Sequence, residues 1–125
     1  MIHLDTSLLV DALTGPRRRA AALRRAIEEG ERIELSAIVL YEWRRGPRLP
    51  EELRAQESLF PGAEAAPFGP LEAGKAAELH RRLRPGRGRE IDLAIAACAL
   101  TRDAQLWTLN PRDFADVPGL GLYPG

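Results

Sequence analysis

Ile2 to Leu4 is a short apolar run that stops abruptly at Asp5, and comparable runs recur between helical patterns along the chain. Thr6 or Ser7 can cap a helix that starts at Leu8, and Gly15-Pro16 breaks it. From Arg17 to Glu29, Ala20, Leu23 and Ile27 share one face with arginines opposite, the spacing of an amphipathic helix. Gly30 closes it. Ile33 to Leu35 reads as a second strand. Ser36 then caps a helix bearing Ile38, Val39, Tyr41, Glu42 and Trp43, which ends near Gly46-Pro47. Pro50-Glu51-Glu52 opens another helix, with proline and acids where a helix start favours them. Ala63 to Phe68 is expected as a third strand, and Pro70 to Leu83 as a helix with Leu71, Leu79 and Leu83 on one side.

After a Pro/Gly/Arg loop from Arg84 to Arg89, the segment Glu90 to Leu100 is almost continuously apolar and predicts a buried helix. Its one strongly polar interior residue is Asp92. Gln105 to Leu109 reads as a strand, and Gly121 to Tyr123 as an edge strand. Strands alternating with helices predict a three-layer α/β/α fold around a short parallel sheet of four to five strands. At 125 residues the chain has the commonest domain size, so we expect one domain over residues 1–125.

Apolar residues make up 45%, enough for one core, and the formal net charge is zero, which removes any global attraction to nucleic acid. The local pattern matters more. Nearly all the basic charge is arginine, with Lys75 the only lysine, and arginine forks match phosphate. Cys98 is the only cysteine, so no intrachain disulfide can form. The N-terminus lacks the basic start of a signal peptide, and Asp5 and Asp11 interrupt its apolar run. No stretch approaches the roughly 20 apolar residues of a membrane span. These features predict a soluble cytoplasmic protein without a membrane partner.

Functional sites of parallel sheets form at the carboxyl ends of the strands. Asp5 stands immediately after the first strand, Glu42 lies on the helix after the second, and Asp92 opens the helix before the strand at Gln105. Asn110 and Asp113 follow that strand. Each has a plain alternative: Asp5 as a helix cap, Glu42 as a surface partner of Arg44 or Arg45, Asp92 as a dipole-facing acid and Asp113 as a turn residue. Taken together they are more telling. Carboxylates about 4 Å apart repel by roughly 4 kcal/mol at an effective dielectric near 20, which a divalent cation relieves. All-oxygen sites suit Mg²⁺ or Mn²⁺. His3 and His80 are isolated, so no zinc-type grouping competes. A cation held this way serves phosphodiester hydrolysis. No Gly-rich phosphate loop, Ser-His-Asp set or dinucleotide fingerprint is present.

With LDTSLL at the N-terminus, a glutamate late in LSAIVLYEW, then EIDLAIAACAL and LWTLNPRDF, the chain resembles the PIN-domain ribonucleases and, within them, the VapC-type toxins of bacterial toxin–antitoxin pairs. The four segments run end to end in the family's order. The resemblance implies that Asp5, Glu42 and Asp92 are catalytic metal ligands, with Asp113 a fourth acid, and that Thr6, Thr108 and Asn110 give polar support. The family commonly has asparagine where Ser7 stands, which bears on the hydrogen bonding behind the ligands. Glu90, two residues before Asp92, is expected to begin the helix rather than to approach the metal. The resemblance also implies an RNA substrate, a homodimer and a small cognate antitoxin that blocks the site.

Two further expectations concern binding. Arg87 and Arg89, in the loop before Asp92, are placed to hold the RNA backbone. Leu40, Tyr41, Trp43, Leu49, Leu53, Leu59 and Phe60 form a candidate apolar surface for a partner helix. The competing functions are a catalytically silent PIN-like scaffold for RNA or protein, and a phosphoaspartyl enzyme or receiver domain. A haloacid-dehalogenase-like phosphatase would want an aspartate where Ser7 stands. A receiver would want a late lysine, and the chain has only Lys75.

Overall fold

The computed structural model describes all 125 residues. Its sheet has three parallel strands, β1 (Ile2–Leu4), β2 (Ile33–Glu34) and β3 (Gln105–Trp107), in the order β2-β1-β3. Ile2 and His3 pair with Ile33 and Glu34 on one side of β1, and Ile2 to Leu4 pair with Gln105 to Trp107 on the other. The sheet is therefore narrower than four to five strands. The two outer strands expected from the sequence contract to single bridges, Ser36 with Ala66 and Leu106 with Leu122. Around Ala66 the chain is held apart from extended pairing by a 3₁₀ turn at Gly62–Glu64 and by Pro67, which has no amide proton to donate.

Six helices accompany the sheet: α1 (Thr6–Leu13), α2 (Ala20–Glu28), α3 (Ala37–Arg45), α4 (Pro50–Leu59), α5 (Pro70–Leu83) and α6 (Glu90–Thr101). Most follow the sequence pattern closely. Ser36 caps α3 by accepting the Val39 amide at 3.2 Å, and Pro50 and Pro70 open α4 and α5. Two starts differ. Arg17 to Arg19 form a turn before α2, with Arg17 in the left-handed region at φ 53°. More consequentially, α1 begins at Thr6, because Asp5 itself adopts extended backbone and caps the helix by accepting the Thr6 amide at 2.9 Å. Thr6 and Ser7 thus lie inside the first turn, and their hydroxyls are free for other partners.

One apolar cluster joins the sheet to all six helices. Helix α6 is its most buried element, with every residue from Leu93 to Ala99 buried. Its alanines let it lie close to β3, α3 and α5, while burying Leu93 and Ile95 contributes about 1.5–3 kcal/mol each. Trp43 and Phe60 also belong to this core, so they are not part of an exposed apolar surface. Tyr41, Leu49, Leu53 and Leu59 remain exposed. No helix is long and apolar enough to cross a membrane.

Candidate active site

The parallel sheet presents Asp5 and Thr108 side by side, each one residue past its strand. The Asp5 side chain is the most constrained of the candidate acids. Its Oδ2 accepts the Thr108 hydroxyl at 2.6 Å and the Ser7 hydroxyl at 2.9 Å, while Oδ1 accepts the Thr6 amide. Ser7 in turn accepts the Leu109 amide at 3.1 Å, and Thr108 accepts the Asn110 amide at 3.0 Å. This web ties the start of α1 to the segment after β3. Asp5 is only 5% exposed, and burial pushes its carboxyl above the usual range against the opposing pull of its three hydrogen bonds.

Glu42 enters from α3. Its Oε1 accepts the Thr6 hydroxyl at 2.6 Å and its Oε2 the Arg45 guanidinium at 3.3 Å. Thr6 is therefore a bridge: its amide holds one candidate ligand and its hydroxyl another. Asp92 sits half-buried in the first turn of α6. A helix N-terminus ordinarily favours an ionised carboxylate, yet this carboxyl is pushed up to about 6. Burial is the main cause, followed by the charges of Asp5, Asp113 and Glu42, with Arg89 acting weakly in the opposite direction. The other three predicted acids thus all act on the charge of Asp92. Asp113 ends the 3₁₀ turn Pro111–Asp113, and it and Asn110 are exposed.

The arginines divide. Arg87 is exposed in the loop before α6. Arg89 has a protein partner instead: its fork grips both carboxylate oxygens of Asp116 at 2.8 Å each and donates to the Asp113 carbonyl at 2.9 Å. Asp116 was not among the residues singled out from sequence. Its only signal there is a second acid three residues after Asp113. A further group also escaped notice. His3, on β1, bonds Glu34 of β2 at 2.7 Å, and Glu34 also accepts from Arg102 at the end of α6.

The donor set suits a hard divalent cation: carboxylates and hydroxyls, with no thiolate or free imidazole. Asp92 supplies the test. Three neighbouring acids raise its affinity for a proton and no hydrogen bond offsets them, which is the environment a cation relieves. As the side chains stand, no three acids or histidines converge on a single point, and Glu42 is engaged by Thr6 and Arg45. Mg²⁺ keeps several waters and takes only one or two carboxylates directly, so the remaining acids are suited to hold water around such an ion.

A model of the PIN domain matches residues 2–120. The chain belongs to the PIN-domain family, within its VapC type. It is 36% identical over 119 residues to ribonuclease VapC19 of Mycobacterium tuberculosis, an alignment covering 94% of each protein. Its fold is similar to the structure of VapBC2 from Rickettsia felis bound to a promoter DNA fragment, with a TM-score of 0.80, 26% identity and 98% of each chain covered. It is also similar to a toxin–antitoxin complex from Klebsiella pneumoniae, with a TM-score of 0.72, 25% identity, and 96% of this chain and 95% of that one covered.

Proposed function

We propose that this PIN-domain protein is an Mg²⁺- or Mn²⁺-dependent endoribonuclease, the cytoplasmic toxin of a toxin–antitoxin pair. The observation that carries the reading is Asp92, a carboxyl crowded by Asp5, Asp113 and Glu42 at the carboxyl end of the sheet. Asp5 and Asp92 are the principal ligands, with Glu42 and Asp113 completing the acidic ring. When bound, the cation supplies charge for the phosphoryl oxygens and lowers the pKa of water. The protein's part is orientation. Thr108, Ser7 and Thr6 fix Asp5, and Thr6 also fixes Glu42. Arg87, exposed in the loop before α6, meets the RNA backbone as a phosphate contact.

The partner reading rests on a groove of about 400 Å³ between α1, α2 and α4, lined by apolar residues such as Leu13, Leu23 and Leu59, with Arg17 and Arg24 outnumbering Glu28 among its charges. Its size and character suit an amphipathic antitoxin segment carrying acids. The exposed Tyr41, Leu49 and Leu53 on α3 and α4 form a separate apolar face, which we assign to a second copy of the chain.

The test is cleavage of structured RNAs by the purified chain with Mg²⁺, with Mn²⁺ and with EDTA, repeated for Asp5→Asn and Asp92→Asn. Cleavage only with a metal, and its loss in both variants, is expected. Metal-independent cleavage, or full activity in both variants, overturns the reading.

A further inference from the structure

Asp113 is the one candidate acid outside the sheet and its flanking helices. It sits on an exposed 3₁₀ turn near the C-terminus, and its backbone carbonyl accepts from Arg89, three residues before Asp92. Two kinds of contact hold that turn against the start of α6. On its inner side the segment is anchored by Phe114 and Val117, both in the core. Apolar contacts resist lifting but do not fix a direction. On the outer side the fixing is polar and specific, since Arg89 is the residue that caps α6 and lies three positions before Asp92.

The Arg89 guanidinium makes two parallel bonds to Asp116 and a third to the backbone carbonyl of Asp113 itself. A planar fork bound at three points sets both distance and rotation. The approach to it is also built for one geometry, with Gly88 at φ +91° immediately before Arg89. Three of the five N–H donors of Arg89 are engaged in this contact, whereas Arg87, two residues before it, is exposed.

We propose that Arg89 and Asp116 form a positioning clip that holds the Asp113 turn at Asp92 and thereby sets the protein's divalent-metal affinity. This rests on the metal-dependent reading above. Neither residue contacts the cation. Asp116 has its side-chain bonds to Arg89, and Arg89 acts through the Asp113 carbonyl and the first turn of α6. The clip differs from simple charge balance in a measurable way. A lysine at position 89 keeps the positive charge but loses the two-point fork, so charge balance predicts no change for Arg89→Lys and the clip predicts a loss.

The experiment is Mn²⁺ titration by calorimetry on the whole chain, with amide hydrogen exchange on the same samples. Asp116→Ala and Arg89→Lys are each expected to weaken Mn²⁺ binding by about tenfold or more, the scale on which partners behind metal ligands act. Exchange should rise in residues 110–117 and stay unchanged in the middle of α6. Asp116→Glu, which retains a carboxylate, should recover part of the affinity. Mn²⁺ affinity within twofold of the parent in both Asp116→Ala and Arg89→Lys overturns the clip. So does unchanged exchange at 110–117. A parent protein that binds no Mn²⁺ overturns the metal reading and the clip's role in affinity together, while faster exchange in the variants then identifies the contact as structural alone.

Discussion

Thr108 donates its hydroxyl to Asp5 Oδ2 at 2.6 Å across a sequence separation of 103 residues. The bond is possible because β3 lies parallel to β1, so that both residues leave the same end of the sheet. Removing the hydroxyl as Thr108→Val leaves a buried carboxylate short of one donor. Hydrogen bonds to charged groups contribute about 1.5–3 kcal/mol, and denaturant unfolding should show a loss of that size. The matching Ser7→Ala change should cost less, since its bond to Asp5 is the longer one, 2.9 Å.

Asp92 makes the metal-free protein sensitive to pH in a specific direction. Its carboxyl titrates near 3.8 when unperturbed and at about 6 in the fold. The folded state therefore holds the proton more tightly, and ionisation costs stability progressively between those values, with the full cost above about pH 6. Solvent screening at a half-exposed site keeps this small, on the order of 1 kcal/mol. Asp92→Asn should raise the melting temperature of the metal-free protein at pH 7.5, and the difference should vanish near pH 4. The same titration predicts proton competition, so Mn²⁺ affinity in the parent should fall as pH drops below about 6.

His3 works in the opposite sense. It is 1% exposed and its Nδ1 is buried without a partner. Glu34 is held below the usual carboxylate range by Arg102 and His3 despite its own partial burial, so the imidazole must donate from Nε2. Burial lowers the His3 pKa from 6.5, outweighing the pull of Glu34. The unfolded chain thus binds the proton first, and stability is lost as pH falls through and below 6.5. His3→Gln keeps a donor for Glu34 and should flatten that acid-side loss in melting temperature between pH 7 and 5. A variant as pH-sensitive as the parent would assign the effect elsewhere.

The groove between α1, α2 and α4 yields a binding prediction that does not involve catalysis. Ile27 lines it and is 41% exposed. Burying such a side chain is worth about 1.5–3 kcal/mol, or roughly tenfold to a hundredfold in affinity. Ile27→Glu should therefore weaken binding of the proposed antitoxin partner by at least that factor in calorimetry. RNA cleavage by the isolated chain should be unaffected.

Much of this was legible in the residues. The apolar run of α6 interrupted by Asp92, the stop at Asp5 and the cap at Ser36 all report local physics, and each stands where the pattern places it. The narrower sheet was less visible, because Ala65, Ala66 and Leu122 look like strand residues while pairing depends on what lies beside them. Trp43 and Phe60 read equally well as surface or core, since periodicity identifies a face but not its occupant. The two features that escaped altogether, Asp116 beneath Arg89 and Glu34 between His3 and Arg102, join residues 27 and 31 or more positions apart. No local spacing encodes such contacts. The same holds for Arg89: its place in a loop before Asp92 suggests phosphate, and only the fold reveals its carboxylate partner Asp116.

The strand order has a consequence in time. Asp5 is synthesised a hundred residues before Gln105, where the strand that completes its surroundings begins. At synthesis rates of about 5–20 residues per second, the intervening hundred residues take roughly 5–20 seconds. Throughout that interval the nascent chain carries Asp5 and then Glu42 without β3, Thr108 or Asp113. The acid cluster is thus incomplete until the segment carrying β3, Thr108 and Asp113 has been made.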